Sequence, residues 1–185
     1  MRVRVQFRMV DYYEREWASP AAELATGQKG PRCRAHRDFG SITLVFTHSP
    51  GLQAQVASEA STSIGLPEGS DLPPWQDVAV PGPTSALLLF GWCTQIRSNG
   101  RLHAVQHRVS DPPEPDQTTG RSPRRTSAVF FLSPRDMQAP LTPVVLDGEV
   151  ANYVPGVSAE AQMMYNMANP VARAKQQRAA AAADQ

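Results

Sequence analysis

From Arg2 to Met9 the chain alternates without a break, Arg-Val-Arg-Val-Gln-Phe-Arg-Met. Only an extended backbone sorts such a pattern into one polar and one apolar face. A half-buried strand is therefore expected at the start. Short apolar runs return at residues 41–47, in Ala86-Leu87-Leu88-Leu89-Phe90, at residues 103–109 and at residues 127–132. The 86–90 run has no polar alternation and is expected to be a strand with no wet face. The 17 prolines and 12 glycines punctuate these runs, and many short strands separated by turn residues suggest a sandwich, jelly roll or barrel. Periodicity does not choose among the three.

Two segments depart from this texture. Residues 19–27 carry an N-cap serine, a first-turn proline and a closing glycine, which predicts a short helix near the N-terminus. From Ser158 onward helix formers take over, predicting a β domain over residues 1–157 followed by a helical tail over 158–185. Met163, Met164 and Met167 lie near helical spacing there and are expected to pack into a core. Residues 58–74 and 110–124 have loop composition, and the second, with Pro112-Pro113-Glu114-Pro115, is expected to be mobile.

At 185 residues the chain has the length of one domain. Its 18 Lys and Arg against 17 Asp and Glu leave a formal charge of +1, too small a field to gather nucleic acid or an anionic membrane. No apolar run approaches the roughly 20 residues needed to cross a bilayer, and the first residues lack the apolar stretch of a signal peptide. A soluble, cytoplasmic protein is expected. Cys33 and Cys93 are not in a CxxC and are read as free thiols.

The chemistry-bearing residues form two constellations. His36 and Asp38 stand two apart just before a strand, so on extended backbone one imidazole and one carboxylate face a common point. Alone, a His-x-Asp also fits a surface pair or a helix cap. With His107 from a later strand it makes two histidines and a carboxylate, the facial set that leaves three adjacent positions open on Fe(II). A jelly roll brings those two strands together. His103 is four residues from His107, too far along a strand to share an ion easily, and is expected to line a rim or lumen; His48 is expected in a turn. The second constellation is Arg125 and Ser127, which alternation puts on one face, where a guanidinium fork and a hydroxyl can hold a carboxylate. Its plain alternative is a solvated arginine at the head of a strand.

Taken in order, His36-Arg37-Asp38-Phe39-Gly40-Ser41-Ile42-Thr43-Leu44, Gly51-Leu52-Gln53, Trp75, Pro81-Gly82, Ser98-Asn99-Gly100-Arg101, His107-Arg108-Val109 and the segment from Arg125 to Leu132 resemble the isopenicillin N synthase-like, 2-oxoglutarate-dependent dioxygenases. Within that family the last segment and Gly51-Leu52-Gln53-Ala54-Gln55-Val56 resemble the bacterial deacetoxycephalosporin C synthases. The resemblance implies a mainly β double-stranded β-helix, or jelly roll, of the cupin-like kind. It implies Fe(II) on His36, Asp38 and His107, and 2-oxoglutarate held by Arg125 and Ser127. Asp11-Tyr12-Tyr13 resembles an Asn-Tyr-Tyr of the family and implies a further cosubstrate contact from Tyr13. The implied activity oxidises a small organic substrate with dioxygen and releases succinate and carbon dioxide. An Arg-x-Ser marks a carboxylate site without naming its occupant; 2-oxoglutarate is what most of the family places there. The resemblance covers only the C-terminal part of a usual member, whose N-terminal region packs on the jelly roll. Two further readings follow: a non-catalytic jelly-roll subunit used in assembly, and a protein partner or additional N-terminal region against the barrel.

Overall fold

The structure, a computed structural model, describes residues 3–17, 31–56, 74–112 and 114–168. Ten strands and two helices lie among these residues: β1 (Val3–Tyr12), β2 (Arg15–Glu16), β3 (Cys33–His36), β4 (Ile42–Thr47), β5 (Leu52–Gln55), β6 (Gln76–Asp77), β7 (Leu87–Phe90), α1 (Trp92–Arg97), β8 (Gln106–Val109), β9 (Arg121–Ser122), β10 (Arg125–Pro134) and α2 (Ala159–Ala168). The helix expected at 19–27 lies outside the described residues, as do nearly all of the 58–74 loop and the tail beyond Ala168.

One sheet has the order β1-β10-β4-β7 and another β3-β8-β5-β6, with β2 and β9 pairing at one end. All of these pairings are antiparallel. Between β3 and β10 the chain passes repeatedly from one sheet to the other, the winding of a double-stranded β-helix. The link from β4 to β5, which passes from one sheet to the other, is tied to β10 where Arg125 donates through Nε to the Pro50 carbonyl at 3.1 Å.

Alternation along the first sheet sorts its side chains cleanly. Thr43, Val45, Thr47, Arg125, Ser127 and Val129 are buried on its inner face. The second sheet contributes Leu52, Ala54, His107 and Val109 to the interior. Strand β1 departs from expectation, because Val5, Phe7 and Met9 form a continuous outer apolar face with their partners rather than a buried one. In register, Val5 stands by Leu132 and Ile42, Phe7 by Phe130 and Leu44, and Met9 by Ala128 and Phe46. Phe7 is 52% exposed, and Leu88 of β7, on the same face, is 50% exposed. The 86–90 run therefore has an exposed face after all, since nothing among the described residues covers it.

Helix α1, which the texture of the sequence did not announce, carries Cys93 and Ile96 into a core with Leu141 and Ala159, flanked by Phe39, Met137 and Tyr153. The first residue of α2 thus anchors the β domain. Met164 is 60% exposed, so the expected methionine stripe does not pack as one unit. The chain past α1 is strapped down by Asn99, whose Nδ2 donates to the Val150 carbonyl at 2.8 Å and whose Oδ1 accepts from the Asn152 backbone at 2.8 Å.

The 110–124 segment is tied rather than mobile in its described part. Asp111 accepts from Arg32 Nε at 2.7 Å, from Arg15 Nε at 3.0 Å and from the fully buried Ser122 hydroxyl at 2.7 Å. Pro-rich composition hid this because the anchor is one carboxylate whose arginines lie far off in sequence.

Candidate metal and oxo-acid site

Three ligand-type side chains converge at the mouth between the sheets. His36 ends β3 and pairs directly with His107 of β8, so the two imidazoles lie on one face with ring centroids 4.4 Å apart. The ladder between β3 and β8 is irregular: Cys33 pairs with Val109 and His36 with His107, three steps against two. This bulge is what turns Cys33 and His36, at an odd spacing, to the same interior.

Asp38 follows β3 in the link to β4. Its Oδ1 lies 3.6 Å from His36 Nε2 and 3.9 Å from His107 Nε2, and one ligand atom from each of the three residues lies within 4.8 Å of the others. Its Oδ2 is held by the buried Thr43 hydroxyl at 2.6 Å, which leaves Oδ1 facing the histidines. The backbone is held too. At the start of α1, Trp92 N donates to the Asp38 carbonyl at 2.9 Å and Cys93 N to that of Phe39 at 3.1 Å.

Both histidines are oriented alike. His36 Nδ1 lies 2.8 Å from the Arg34 carbonyl and His107 Nδ1 3.1 Å from that of Val105. A carbonyl can only accept, so each Nδ1 carries a proton and each Nε2 is the nitrogen turned toward Asp38. The hydrogen bond to Asp38, helped by Cys33 and opposed by burial, pushes His36 up to about 10. Burial works to raise Asp38, but His36, His107 and Thr43 together hold it below the usual carboxylate range. Burial, with His36 alongside, pulls His107 down against the attraction of Asp38. Two imidazole nitrogens and a carboxylate oxygen fit a borderline divalent ion such as Fe(II), and the exposed side of His36 leaves an approach.

The second constellation is also brought together. Arg125 and Ser127 share the inner face of β10, with Nη1 3.4 Å from the Ser127 hydroxyl. Arg125 is 3% exposed, and its buried Nη2 has no hydrogen-bond partner among the described residues. A buried guanidinium nitrogen left unpaired costs free energy that an incoming carboxylate would recover. Gly51 keeps this corner tight: at φ +106° it lies where a Cβ would stand 2.7 Å from the Ser110 carbonyl.

The two tyrosines of the expected motif lie on opposite faces. Tyr12 pairs with Arg125 across the ladder, and its ring faces the guanidinium at 5.7 Å. Tyr13 is 74% exposed and lies against Arg124 instead, because successive strand positions point to opposite faces. His103 and His48 are exposed and away from the triad. Thr43 and Tyr12 are neighbours to which sequence reading gave no role, although both lie within the quoted segments, and Cys33, read as a free thiol with metal ligation a remote option, lies 3.9 Å from His36 Nδ1.

No family model matches the chain. It is 34% identical over 118 residues to the 2-oxoglutarate-dependent dioxygenase frbA of Dothideomycetidae sp. (strain 11243), covering 63% of this chain and 31% of that protein. It is 30% identical over 153 residues to the 2-oxoglutarate-dependent dioxygenase DAO of Oryza sativa subsp. indica, covering 79% of this chain and 48% of that one. The chain is thus similar to 2-oxoglutarate-dependent dioxygenases along much of its own length. Among solved structures it resembles a full-length Neurospora crassa protein in complex with alpha-KG and thymine, with a TM-score of 0.65, 21% identity, and 89% of this chain matched to 44% of that one. The rice dioxygenase for auxin oxidation gives a TM-score of 0.64 and 22% identity, over 90% of this chain and 47% of that one. These likenesses agree with the double-stranded β-helix. The chain spans less than half the length of these relatives. No helix among the described residues is long and apolar enough to cross a membrane.

Proposed function

We propose that this chain is the catalytic jelly roll of an Fe(II)- and 2-oxoglutarate-dependent dioxygenase that oxidises a small organic molecule in the cytoplasm. The observation that carries the reading is a pair of donor sets: Nε2, Nε2 and Oδ1 turned toward one another, and the buried Nη2 of Arg125, which has no partner among the described residues. His36, Asp38 and His107 would hold the iron. Bound there, Fe(II) couples dioxygen and the decarboxylation of 2-oxoglutarate to oxidation of the substrate.

The protein's own part is orientation. Thr43 keeps Asp38 from rotating away, the Arg34 and Val105 carbonyls fix both imidazoles, and Arg125 with Ser127 receives the far carboxylate of the oxo acid. Tyr12 replaces Tyr13 as the aromatic neighbour of that carboxylate. Leu52, Ala54 and Val109 keep the inner wall apolar, which strengthens the polar contacts made there. A small substrate is supported by the Neurospora crassa protein, solved with thymine, and by the rice enzyme of auxin oxidation.

Anaerobic titration tests this reading. One Fe(II) per chain should bind in wild type and be lost in His36→Ala and His107→Ala. Added 2-oxoglutarate should then give the visible charge-transfer band of a chelated 2-oxo acid. Arg125→Gln should keep iron but lose about 2–4 kcal/mol of oxo-acid binding, roughly 30-fold to 1,000-fold in affinity. Iron without any such band in wild type would remove 2-oxoglutarate from the site.

The exposed outer face of Val5, Phe7, Met9, Phe46 and Leu88 favours a second element of the reading. An apolar patch of this extent marks a packing surface, and we assign it to further polypeptide, in the same product or a partner. A non-catalytic assembly subunit would need that face and no iron, so the same titration separates the two.

A further inference from the structure

Strand β1 is an edge strand, and its two faces carry opposite chemistry. Phe7 and its apolar neighbours stand outside, so alternation puts Arg4, Gln6 and Arg8 on the inner face with Tyr12. The register sets what lies beside them. Arg8 stands by Val129 and Val45, and Gln6 by Phe131 and Thr43, the threonine whose hydroxyl is 2.6 Å from Asp38 Oδ2. The row of side chains that reaches the carboxylate of the triad therefore begins on β1. The exposed Arg8 guanidinium lies over the half-buried Phe131 ring at 5.6 Å, and among the described residues no hydrogen bond or ion pair engages it. A cation resting on an apolar ring, with a carboxamide beside it, is equipped to receive an anion.

We propose that Arg8 is a specificity-determining residue and that the substrate is a small apolar acid: its carboxylate meets the Arg8 guanidinium, and its body lies on Phe131 and Val129 toward Thr43 and Asp38. The inference rests on the reading of the triad and Arg125 as the iron and 2-oxoglutarate site. One guanidinium beside a neutral carboxamide matches a monoanion, and the wall that leads from it toward Thr43 is apolar. Neighbouring strands stand about 4.8 Å apart, so two spacings put about 10 Å between β1 and β4, the extent of a ring carrying a short acid chain. Arg125 does not compete for that carboxylate. It pairs with Tyr12, four positions along β10 from the Val129 that faces Arg8, which is about 13 Å of strand.

The test uses the full chain loaded with redox-inert Mn(II) and saturated with 2-oxoglutarate, which fills the Arg125 site. The probes are 4-phenylbutyrate and its neutral amide, followed by proton NMR, in which Mn(II) broadens any probe bound near it. In wild type the acid should bind at least about tenfold more tightly than the amide, the worth of one charge-assisted hydrogen bond. Its ring protons should broaden more than those beside the carboxylate. Arg8→Gln should bring acid and amide to the same affinity. Arg4→Gln removes the same charge from the same face, one row beyond Gln6, and should keep the preference. Both variants should hold Mn(II) and 2-oxoglutarate as wild type does, which reports an intact site. Equal affinities for acid and amide in wild type, including no binding of either up to about 10 mM, overturn the proposal. So do broadening strongest beside the carboxylate, a preference that survives Arg8→Gln or falls equally in Arg4→Gln, and loss of 2-oxoglutarate binding in Arg8→Gln. Calorimetry with 2-oxoglutarate on wild type separates the two failures. No binding there sinks the cosubstrate reading and this inference with it, while binding without a preference for the acid sinks this inference alone.

Discussion

Replacing Gly91 by alanine should damage the metal site without touching a ligand. Gly91 has φ −102° and ψ 177°, extended backbone open to any residue, so the cost of alanine there is steric and not torsional. Its Cβ would stand 2.1 Å from the Gly40 carbonyl oxygen and 2.9 Å from that of Asp38. Both obstacles are backbone, and they belong to the link that carries the carboxylate. To restore ordinary contact the link and the start of α1 must part by about 1 Å, and overpacking of this kind costs about 3 kcal/mol. The bonds at risk are Trp92 N to the Asp38 carbonyl, Cys93 N to Phe39 and Gly91 N to Ser41. For a chain of this length such a loss lowers Tm by about 6–12 °C. Displacing Asp38 should weaken Mn(II) or Fe(II) by about 10–100-fold, the usual range for lost support of a ligand. Differential scanning fluorimetry and anaerobic metal titration measure the two effects. Gly82→Ala, whose Cβ would find only Ser85 Oγ at 4.0 Å, is the silent control. A Gly91→Ala protein with wild-type Tm and wild-type metal affinity would refute the packing argument.

Other expectations follow from individual contacts. Thr43→Val leaves Asp38 Oδ2 without its 2.6 Å donor, so Mn(II) affinity should fall about 10–100-fold and recover in Thr43→Ser; an unchanged isotherm would show that the hydroxyl does not set the carboxylate. In the metal-free protein His36 titrates at about 10. It is therefore charged at neutral pH and must lose a proton to ligate, so affinity should rise roughly tenfold per pH unit between 7 and 9, with about one proton released per metal. A flat profile from buffered calorimetry would contradict that sign. Asp111→Asn strips the charge from a buried carboxylate bound by Arg15 and Arg32, which should cost about 3 kcal/mol. It should also make the 110–124 segment the first site of limited proteolysis, a segment expected to resist in wild type; early cleavage there in wild type would mean Asp111 does not hold it.

Much of the site was legible before folding because its information is chemical and ordered along the chain. Two histidines, an aspartate and an Arg-x-Ser are rare enough in combination that their order suggested the residues to look for, and the structure places His36, Asp38 and His107 together and Arg125 beside Ser127. Strand texture was legible for a related reason. Alternation is a property of neighbours two residues apart, and β4, β8 and β10 appear within the runs that showed it.

What alternation cannot state is which face meets another layer. The apolar side of β1 reads as core by composition, yet it lies outside, because burial depends on what packs opposite and not on the strand itself. Facing also separates Tyr12 from Tyr13: a shift of one position reverses every side chain, and only the pairing of Tyr12 with Arg125 sets the register. The β3 bulge that turns Cys33 inward, the Thr43 hydroxyl on Asp38 and the α1 backbone that braces the aspartate leave no periodic trace. Arg15 and Asp111 meet across 96 positions. Local pattern determined which residues were strands and which side chains had the chemistry; the tertiary contacts decided their facing, their support and their convergence, since those depend on partners distant in the chain.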